Sequence, residues 1–219
     1  MNELFNNYVW HRTTKRLEFD RGYKSYTQNV ALSKGRGFKP TAKSFSVTLI
    51  RRLIEVGALK FGDFVLSSGK RSNVYVDIKL AATHPDILEM IADNIAEILK
   101  KYDFDRIACI ELGGVPVATA VSLKTKKPMV IFRKEQKSYG LGGDMIGEIR
   151  ESERVAVVED VITTGKSALS VAERVEKKGG KVVVIVAVVD REESELKFES
   201  VLRLSDLIKA KDLLDSTKS

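Results

Sequence analysis

Cysteine is almost absent from this sequence, and long apolar runs are absent altogether. The single cysteine, Cys109, excludes an internal disulfide and a zinc site built from several thiolates. No apolar run approaches the roughly 20 residues of a membrane-spanning helix, and the N-terminus shows no apolar core of a secretory signal. With 43% hydrophobic and 31% charged residues, the chain can bury a core. We therefore predict a cytoplasmic protein with no membrane partner.

The net charge of +7 is concentrated in the first part of the chain. Residues 1–43 hold nine Lys or Arg against three Asp or Glu, whereas the other 176 residues hold 28 against 27. Basic residues interleaved with Tyr and Trp can contact RNA, but this segment has no sustained hydrophobic period and ends in a Gly- and Lys-containing patch. We predict a poorly ordered basic extension over residues 1–43, or translated sequence upstream of the true start, and no nucleic-acid partner.

A different pattern begins at residue 44. Helical spacing over residues 44–56 and 83–102 predicts two amphipathic helices, the second capped by Thr83. Short strand-like pieces, interrupted by glycine and by the polar run SSGKRS, lie between them. We predict one domain from residue 44 to the end, made of a small hood (44–80) and a core (81–219).

Four near-continuous apolar segments with helical segments between them make up most of the core. They are RIACIE, PMVIFR, RVAVVED and KVVVIVAVVD. Such a sequence is typical of an α/β fold in which helices cover both faces of a mostly parallel sheet. Ligands bind such sheets beyond the carboxyl ends of the strands. The candidate site therefore comprises the polar segments that follow the strands, at residues 111–114, 133–137, 159–167 and 190–193.

The segment VAVVEDVITTGKS ends like a nucleotide-binding P-loop. That motif needs a glycine five residues before its second glycine, and Asp160 stands at that place, so the match fails. Instead, a buried strand is followed by two acids and by small hydroxyl residues that open a helix. Amides and hydroxyls of residues 162–167 can hold a phosphate at the helix N-terminus. Because Glu159 and Asp160 can accept hydrogen bonds from vicinal hydroxyls, the pattern predicts a ribose 5-phosphate site.

A glycine-rich segment, residues 134–147, separates two of the predicted strands. Its four glycines favour a mobile lid, and residues 146–149 can add a short strand or hairpin arm. Arg133, Lys134 and Lys137 lie at its start, where they suit a second, more anionic group such as a diphosphate.

These motifs together resemble the type I phosphoribosyltransferases, and among them the orotate phosphoribosyltransferase family. VVEDVITTGKS is similar to the turn that binds 5-phosphoribosyl 1-diphosphate (PRPP), KFGDFVLSSGKRSNVYVD to the hood, RKEQKSYG to the mobile loop and VVDREE to a strand end. The resemblance covers residues 47–214. It implies transfer of ribose 5-phosphate from PRPP to orotate, which gives orotidine 5′-monophosphate and diphosphate in pyrimidine synthesis. It also implies a homodimer with shared loop residues, and Mg²⁺ held mainly through PRPP rather than by dedicated protein ligands.

The resemblance assigns a role to each matched position. It implies that Glu159 and Asp160 hold the ribose hydroxyls and that Thr163 and Arg191 contact orotate, with Arg191 on its carboxylate. The implied catalytic residues are Lys134, Lys137 and Asp160. Further implied PRPP-binding residues are Arg133, Tyr139, Val161, Ile162, Thr164, Gly165, Lys166 and Ser167, and the diphosphate turn comprises Glu111, Leu112, Gly113 and Gly114.

Three positions depart from the family pattern. Tyr139 stands where the loop usually has histidine, and Ser67 and Gly113 stand where many members have lysine. Two fewer cations should weaken diphosphate binding unless Lys70, Lys79 or the loop compensates.

Two other functions share part of the pattern. A purine phosphoribosyltransferase has the same PRPP turn, but VLSSGKRSNVYVD differs from its hood. A PRPP-sensing, RNA-binding regulator would use the turn without catalysis and the basic leader for RNA, although a sensor need not retain the RKEQK loop.

Overall fold

The computed structural model describes residues 42–65, 69–134 and 143–216, with side chains from residue 46 to residue 212 within those ranges. These residues belong to a compact unit that spans Thr41–Ser219. The predicted extension over residues 1–43 therefore lies almost entirely outside the described residues, and so do Ser67, Lys137 and Tyr139. Within the described ranges, no helix is both long enough and apolar enough to cross a membrane.

The chain begins with a helix and a hairpin and then alternates between strands and helices. The first elements are α1 (Ala42–Glu55), β1 (Leu59–Val65), β2 (Arg71–Val76), α2 (Ile78–Ala81) and α3 (Pro85–Leu99). They are followed by β3 (Arg106–Ile110), α4 (Gly114–Thr125), β4 (Met129–Phe132), β5 (Met145–Ile146), β6 (Arg154–Ile162), α5 (Lys166–Lys177), β7 (Lys181–Asp190), β8 (Glu199–Arg203) and α6 (Leu204–Ser216).

The predicted hood contains a two-stranded antiparallel sheet, β1–β2. Gly62 has φ 155°, and the strand register shifts between Phe61 and Phe64, so the glycine accommodates a β-bulge. Helix α1 packs beside the hairpin through Leu49 and Leu53, which are fully buried. The short strands predicted here are therefore confirmed, but Gly62 lies within β1 and does not divide it.

The core is a six-stranded sheet in the order β5-β4-β3-β6-β7-β8. All neighbouring pairs from β4 to β8 are parallel, and β5 alone runs antiparallel at one edge. This confirms the prediction of a mostly parallel α/β sheet built on four apolar strands. The arm predicted at residues 146–149 begins one residue earlier and is shorter, since β5 ends at Ile146.

Helix α3 begins with Pro85, and His84 rather than Thr83 is its N-cap. The Thr83 hydroxyl donates to the Leu80 carbonyl at 2.7 Å, so this side chain closes the turn after α2. The prediction that Thr83 caps α3 was wrong. The short helix α2, which the hydrophobic periodicity did not indicate, lies just before this turn.

Successive residues of β6 face opposite sides of the sheet. Ala156 and Val158 pack in the cluster that contains α3 and α4, whereas Val155 and Val157 pack against α5. Strand geometry alternates side chains between the two faces. The acidic residues that continue this strand therefore start from opposite faces, Glu159 on the α5 side and Asp160 on the other side.

Charged side chains pair closely at the edge of the sheet where β3 and β6 begin, which we call the amino edge. Arg154 donates to both carboxylate oxygens of Asp105, at 2.9 and 2.8 Å, and also pairs with Asp103. Beside it, Arg106 Nε donates to Glu153 at 2.8 Å, and both side chains are nearly buried. Partners that lie far apart in sequence thus fix the start of the β3–β6 pair.

Candidate active site

The predicted polar segments meet at the opposite edge of the sheet, which we call the carboxyl edge. Ile110 pairs with Phe132, and Ile162 pairs with Asp190, so the parallel strands end at matching levels. The residues that follow these strands are Glu111, Arg133, Thr163 and Arg191. The structure therefore brings the described residues of the four segments to one side of the sheet, as expected for a ligand site in a parallel sheet.

The turn between β6 and α5 forms a cavity of about 120 Å³. Its lining consists of Glu159, Val161, Ile162, Thr163, Thr164, Gly165, Lys166, Ser167 and Ala168. Backbone amides at the start of a helix are unpaired and carry partial positive charge, which suits an anion. Every residue that the sequence predicted for the phosphate turn lies in this one cavity.

Gly165 gives the turn its shape. It is the N-cap of α5 with φ 80°, a conformation that other residues rarely adopt. A Cβ at this position would lie 2.7 Å from Ser194 Oγ, so the loop after β7 packs directly against the turn. Ser194 also donates to the Thr164 carbonyl at 3.3 Å. Residues beyond β7 therefore support the turn from outside the predicted motif.

Glu159 is a buried carboxyl group inside this cavity. The residue is 5% exposed, and its Oε2 has no hydrogen-bond partner among the described residues. Burial, and to a lesser degree the charge of Asp160, raises the pKa of Glu159 to about 8. The side chain therefore holds a proton at neutral pH and has unused hydrogen-bonding capacity directed into the site.

The same burial makes Cys109 unreactive. Desolvation raises the pKa of its thiol to about 12, with a smaller contribution from Glu159. This cysteine is a core residue, as the sequence indicated.

Asp160 lies against the predicted diphosphate turn, outside the cavity lining. A Cβ built on Gly113 would stand 2.0 Å from Asp160 Oδ2, so no larger residue fits unless the carboxylate moves. The other oxygen, Oδ1, accepts from the amide of Val161 at 2.9 Å. Glycine rather than lysine at position 113 thus leaves the space that the Asp160 carboxylate occupies.

The diphosphate turn is tied to the base of the predicted lid. Glu111 Oε1 accepts from the amide of Lys134 at 2.9 Å, and the Glu111 amide donates to the Phe132 carbonyl at 3.0 Å. The peptide bond between Glu111 and Leu112 is cis, and Leu112 is 74% exposed. Two segments that the sequence treated separately are therefore one connected surface.

Arg174 on α5 holds both ends of the lid segment. Its Nη1 donates to the Arg133 carbonyl at 2.8 Å, and its Nη2 donates to the Asp144 carbonyl at 2.5 Å. The guanidinium lies 4.4 Å from the centre of the Phe132 ring. Sequence reasoning missed this residue because it lies in the last turn of α5 among other charged residues, with no motif around it.

Arg191 connects the core to the hood. It is 6% exposed, and its Nη2 donates to Ser72 Oγ at 2.9 Å. Its Nε has no hydrogen-bond partner among the described residues and lies 3.7 Å from Glu193 Oε1. The second oxygen of Glu193 pairs with Lys70 at 2.6 Å. A buried guanidinium with an unused donor is well suited to a carboxylate ligand.

Ser72 and Glu193 had no predicted role, although Ser72 is part of the hood pattern that the sequence displays. Ser72 could have been found from that pattern, and the structure shows that its hydroxyl accepts a hydrogen bond from Arg191. Lys70 was considered as a replacement cation, but it is engaged by Glu193. Lys137 and Tyr139 lie outside the described residues, so their predicted roles stay predictions.

The donor groups of the site limit how a metal ion could be held. In the described ranges, no group of three or more His, Cys, Asp or Glu side chains is arranged to hold a metal ion. The carboxyl groups placed here belong to Glu111 within the diphosphate turn, Asp160 beside that turn and Glu159 in the cavity lining. Such a donor set fits a magnesium ion that takes most of its ligands from a phosphorylated substrate.

Comparison with known proteins agrees with this geometry. Residues 81–210 match the family model described as phosphoribosyl transferase domain. The chain is 68% identical over 171 residues to orotate phosphoribosyltransferase of Archaeoglobus fulgidus, covering 78% of this chain and 96% of that protein.

Solved structures give the same result. Leishmania donovani UMP synthase has a TM-score of 0.69 at 31% identity, with 78% of this chain and 39% of that chain covered. Mycobacterium tuberculosis orotate phosphoribosyltransferase in complex with PRPP has a TM-score of 0.61 at 30% identity, covering 74% of this chain and 98% of that chain. The family model and these relatives agree with the site at the ends of the parallel strands. The chain belongs to the orotate phosphoribosyltransferase family of phosphoribosyl transferase domain proteins.

Proposed function

We propose that this protein transfers ribose 5-phosphate from PRPP to N1 of orotate, releasing diphosphate and forming orotidine 5′-monophosphate for pyrimidine synthesis. The observation that carries the proposal is that the site combines two features. One is a cavity suited to an anion at the start of α5, and the other is the buried Arg191 beside the hood, whose Nε lacks a hydrogen bond among the described residues. The first suits the 5-phosphate and the second suits the carboxylate of orotate. Relatives with this name share most of the chain.

The proposed binding mode places each part of PRPP against a different element. Amides and hydroxyls of residues 162–167 hold the 5-phosphate. Asp160, and Glu159 from the other face of β6, accept or share hydrogen bonds with the ribose hydroxyls. Glu111 to Gly114 form the turn that faces the diphosphate, and glycine at two of these positions lets the backbone approach closely.

The chemistry needs charge stabilisation more than a nucleophile. As the bond from C1 to the diphosphate oxygen breaks, the ribose gains oxocarbenium character and the leaving group gains negative charge. Arg133, Lys134 and Lys137 are proposed to stabilise that charge, while Thr163 and Arg191 orient orotate for attack by N1. Exclusion of water by the lid segment would prevent hydrolysis of PRPP.

Magnesium is proposed as the metal cofactor. When bound, Mg²⁺ neutralises diphosphate oxygens and makes the diphosphate a better leaving group. Among the described residues, Asp160 lies beside the diphosphate turn, and Glu111 lies within it but already accepts from the Lys134 amide. This chain would therefore contribute few direct ligands.

The activity test uses the full chain with PRPP, Mg²⁺ and orotate. We expect a fall in orotate absorbance and a stoichiometric release of diphosphate. Parallel assays replace orotate with adenine, guanine or hypoxanthine. Turnover with a purine base and none with orotate would refute the proposed substrate, and PRPP binding without turnover of any base would favour a sensor.

We further propose a cytoplasmic homodimer in which Lys134 serves the neighbouring active site. Lys134 is exposed while its amide is held by Glu111, which leaves the side chain free to reach outward. Mixing Lys134→Ala with Asp160→Asn tests this arrangement, because a hybrid dimer regains one intact site. Activity of the mixture no higher than that of the two separate variants would contradict it.

A further inference from the structure

Lys79 lies where the proposed diphosphate site lacks a cation. It is on α2 in the hood, and its Nζ is 3.9 Å from Asp160 Oδ2 and 3.8 Å from Asp77 Oδ1. The same Oδ2 atom of Asp160 is the one that approaches Gly113. One carboxylate oxygen therefore faces both the glycine of the diphosphate turn and the ammonium group of Lys79.

The backbone at Lys79 is held in place, whereas the ammonium group is exposed and has only long ion pairs. The neighbours Ile78 and Ala81 are fully buried, and Asp77 caps α2 by accepting from the Leu80 amide at 3.1 Å. The Lys79 side chain is 57% exposed, compared with 15% for Asp160. A fixed backbone with an exposed ammonium group can move between partners at little conformational cost.

Both ion pairs of Lys79 are long, so they contribute little to the stability of the fold. Exposed ion pairs contribute ~1 kcal/mol or less even at better geometry. The position of Lys79 is therefore not explained by stabilisation of α2. A role for the ammonium group that appears only with a bound anion is consistent with these distances.

Substrate chemistry indicates which anion this would be. In PRPP the diphosphate is attached to C1, one carbon away from the C2 hydroxyl that Asp160 is proposed to hold. A cation beside Asp160 is therefore within reach of the diphosphate oxygens. Once ribose hydroxyls donate to Asp160, its hold on Lys79 weakens and the diphosphate becomes the stronger partner.

We propose that Lys79 binds the diphosphate of PRPP and supplies, from the hood, the positive charge that Gly113 does not supply from the turn. This rests on the proposed function and extends it to a residue outside the turn, the loop and the phosphate cavity. Lys70, the other hood lysine considered for this role, is held by Glu193 at 2.6 Å.

The test measures binding of inorganic diphosphate with Mg²⁺ to the full chain by calorimetry, for wild type, Lys79→Met, Lys79→Arg and the control Lys100→Met. Lys100 is also an exposed lysine in an ion pair, with Glu97, but lies at the far end of α3. We expect Lys79→Met to weaken diphosphate binding roughly 10-fold, the loss expected for one charge-assisted contact. Lys79→Arg should stay within about 3-fold of wild type, and Lys100→Met should bind as wild type does.

Two further readouts separate binding from folding and from base specificity. Lys79→Met should raise the KM for PRPP with little change in the KM for orotate, and should leave the thermal midpoint unchanged. Wild type that turns over no orotate, with diphosphate binding still lost in Lys79→Met, would refute the orotate assignment but not this role. Diphosphate binding by Lys79→Met within 2-fold of wild type, or no diphosphate binding by wild type, would overturn it.

Discussion

Charged groups at the amino edge pair through hydrogen bonds, whereas some buried polar atoms at the carboxyl edge lack a hydrogen bond within the described ranges, although Arg191 Nε lies 3.7 Å from Glu193. At the amino edge, Arg154 forms a two-pronged contact with Asp105, and Arg106 donates to Glu153. At the carboxyl edge, Glu159 Oε2, Arg191 Nε and Arg133 Nε are buried without a hydrogen bond among the described residues. The remaining atom of this kind, Asp93 Oδ1, lies on α3 and forms an ion pair with Lys124.

The carboxyl pKa values differ in the same way. Hydrogen bonds from Arg154 lower the pKa of Asp105 to about 2, and Arg106 lowers that of Glu153. Burial instead raises the pKa of Glu159 to about 8. Unpaired buried groups destabilise a fold, so their concentration at one edge indicates that a ligand completes them there. The same sheet is thus stabilised at one edge and prepared for binding at the other.

The largest effect should come from breaking the buried pair at the amino edge. Arg106→Met leaves the nearly buried Glu153 carboxylate without its partner, and removing one member of such a pair lowers the free energy of unfolding by about 3 kcal/mol or more. Urea titration at pH 7 measures this change. Activity per folded molecule should stay near wild type. The double variant Arg106→Met/Glu153→Leu should recover most of the stability, and failure to do so would show that the pair is not the cause.

Asp160→Asn is the corresponding change at the carboxyl edge and should act in the opposite way. Loss of two charge-assisted hydrogen bonds to ribose, at about 1.5 kcal/mol each, lowers kcat/KM for PRPP roughly 100-fold. Stability should change little, because the described contacts of this carboxylate are one local amide and one distant lysine. Steady-state kinetics and thermal unfolding on the same preparation check both statements. A stability loss equal to that of Arg106→Met would remove the contrast between the edges.

Arg191→Met tests whether the buried guanidinium binds a carboxylate. We expect the KM for orotate to rise about 30-fold, which corresponds to roughly 2 kcal/mol for a contact between charged groups, while the KM for PRPP changes little. Arg203→Met, at the exposed end of β8, is the control for loss of an arginine near the same edge. Equal effects on both substrates would argue against a specific contact with orotate.

The pH dependence of stability should have opposite signs at the two edges. The folded-state pKa of Glu159 is raised above its ordinary value of 4.5, so its stabilising contribution is present below pH 4.5 and is lost as pH rises to about 8. Raising the pH from 6 to 7 should therefore lower the free energy of unfolding of wild type, relative to that of Glu159→Gln, by up to about 1.4 kcal/mol.

Asp105 provides the matched comparison. Its pKa is lowered from 3.8, so its contribution is present above pH 3.8 and is lost as pH falls towards about 2. Asp105→Asn should thus be less stable than wild type near neutral pH, and this difference should shrink in acid. Parallel urea titrations across pH check both variants. The same sign of pH dependence for both would contradict the contrast.

The smallest expected effect belongs to Ser72→Ala. Loss of its hydrogen bond leaves Arg191 in place but less well oriented, at about 1 kcal/mol, or roughly 5-fold in the KM for orotate. Ser72→Thr, which keeps a hydroxyl, should retain more activity. A 5-fold change confined to orotate would show that the hood positions the guanidinium, whereas an equal change in the KM for PRPP would indicate a general disturbance of the hood.

Local patterns were enough to predict four of the five parallel strands and the strand–turn–helix that β6 and α5 form. Residues 155–158 are all apolar and all buried, and the acids and small residues that follow are contiguous with them. Strand β8 was not predicted, because Leu202 is its only buried residue and the segment is short. Each predicted strand is largely a continuous apolar run, whereas β8 (ESVLR) contains only two apolar residues.

Contacts between distant residues could not be predicted in the same way. Ser72 and Arg191 are separated by 119 positions, and Arg154 and Asp105 by 49. The approach of Asp160 to Gly113 depends on how β6 lies beside the turn after β3. Only the three-dimensional fold determines such partners, which is why the pairs at the amino edge could not be predicted. The sequence suggested Lys79 as a compensating cation, but only the structure places its ammonium group beside Asp160.

The two hydrogen bonds from Arg174 also bear on how the chain can vary in length. One guanidinium holds the carbonyls of Arg133 and Asp144, so the ends of the segment between them are fixed independently of what joins them. Closing a flexible loop of twice the length costs only about 0.6 kcal/mol more. Insertions or deletions between residues 134 and 143 should therefore leave the sheet intact, which would allow the length of this segment to change in evolution independently of the fold.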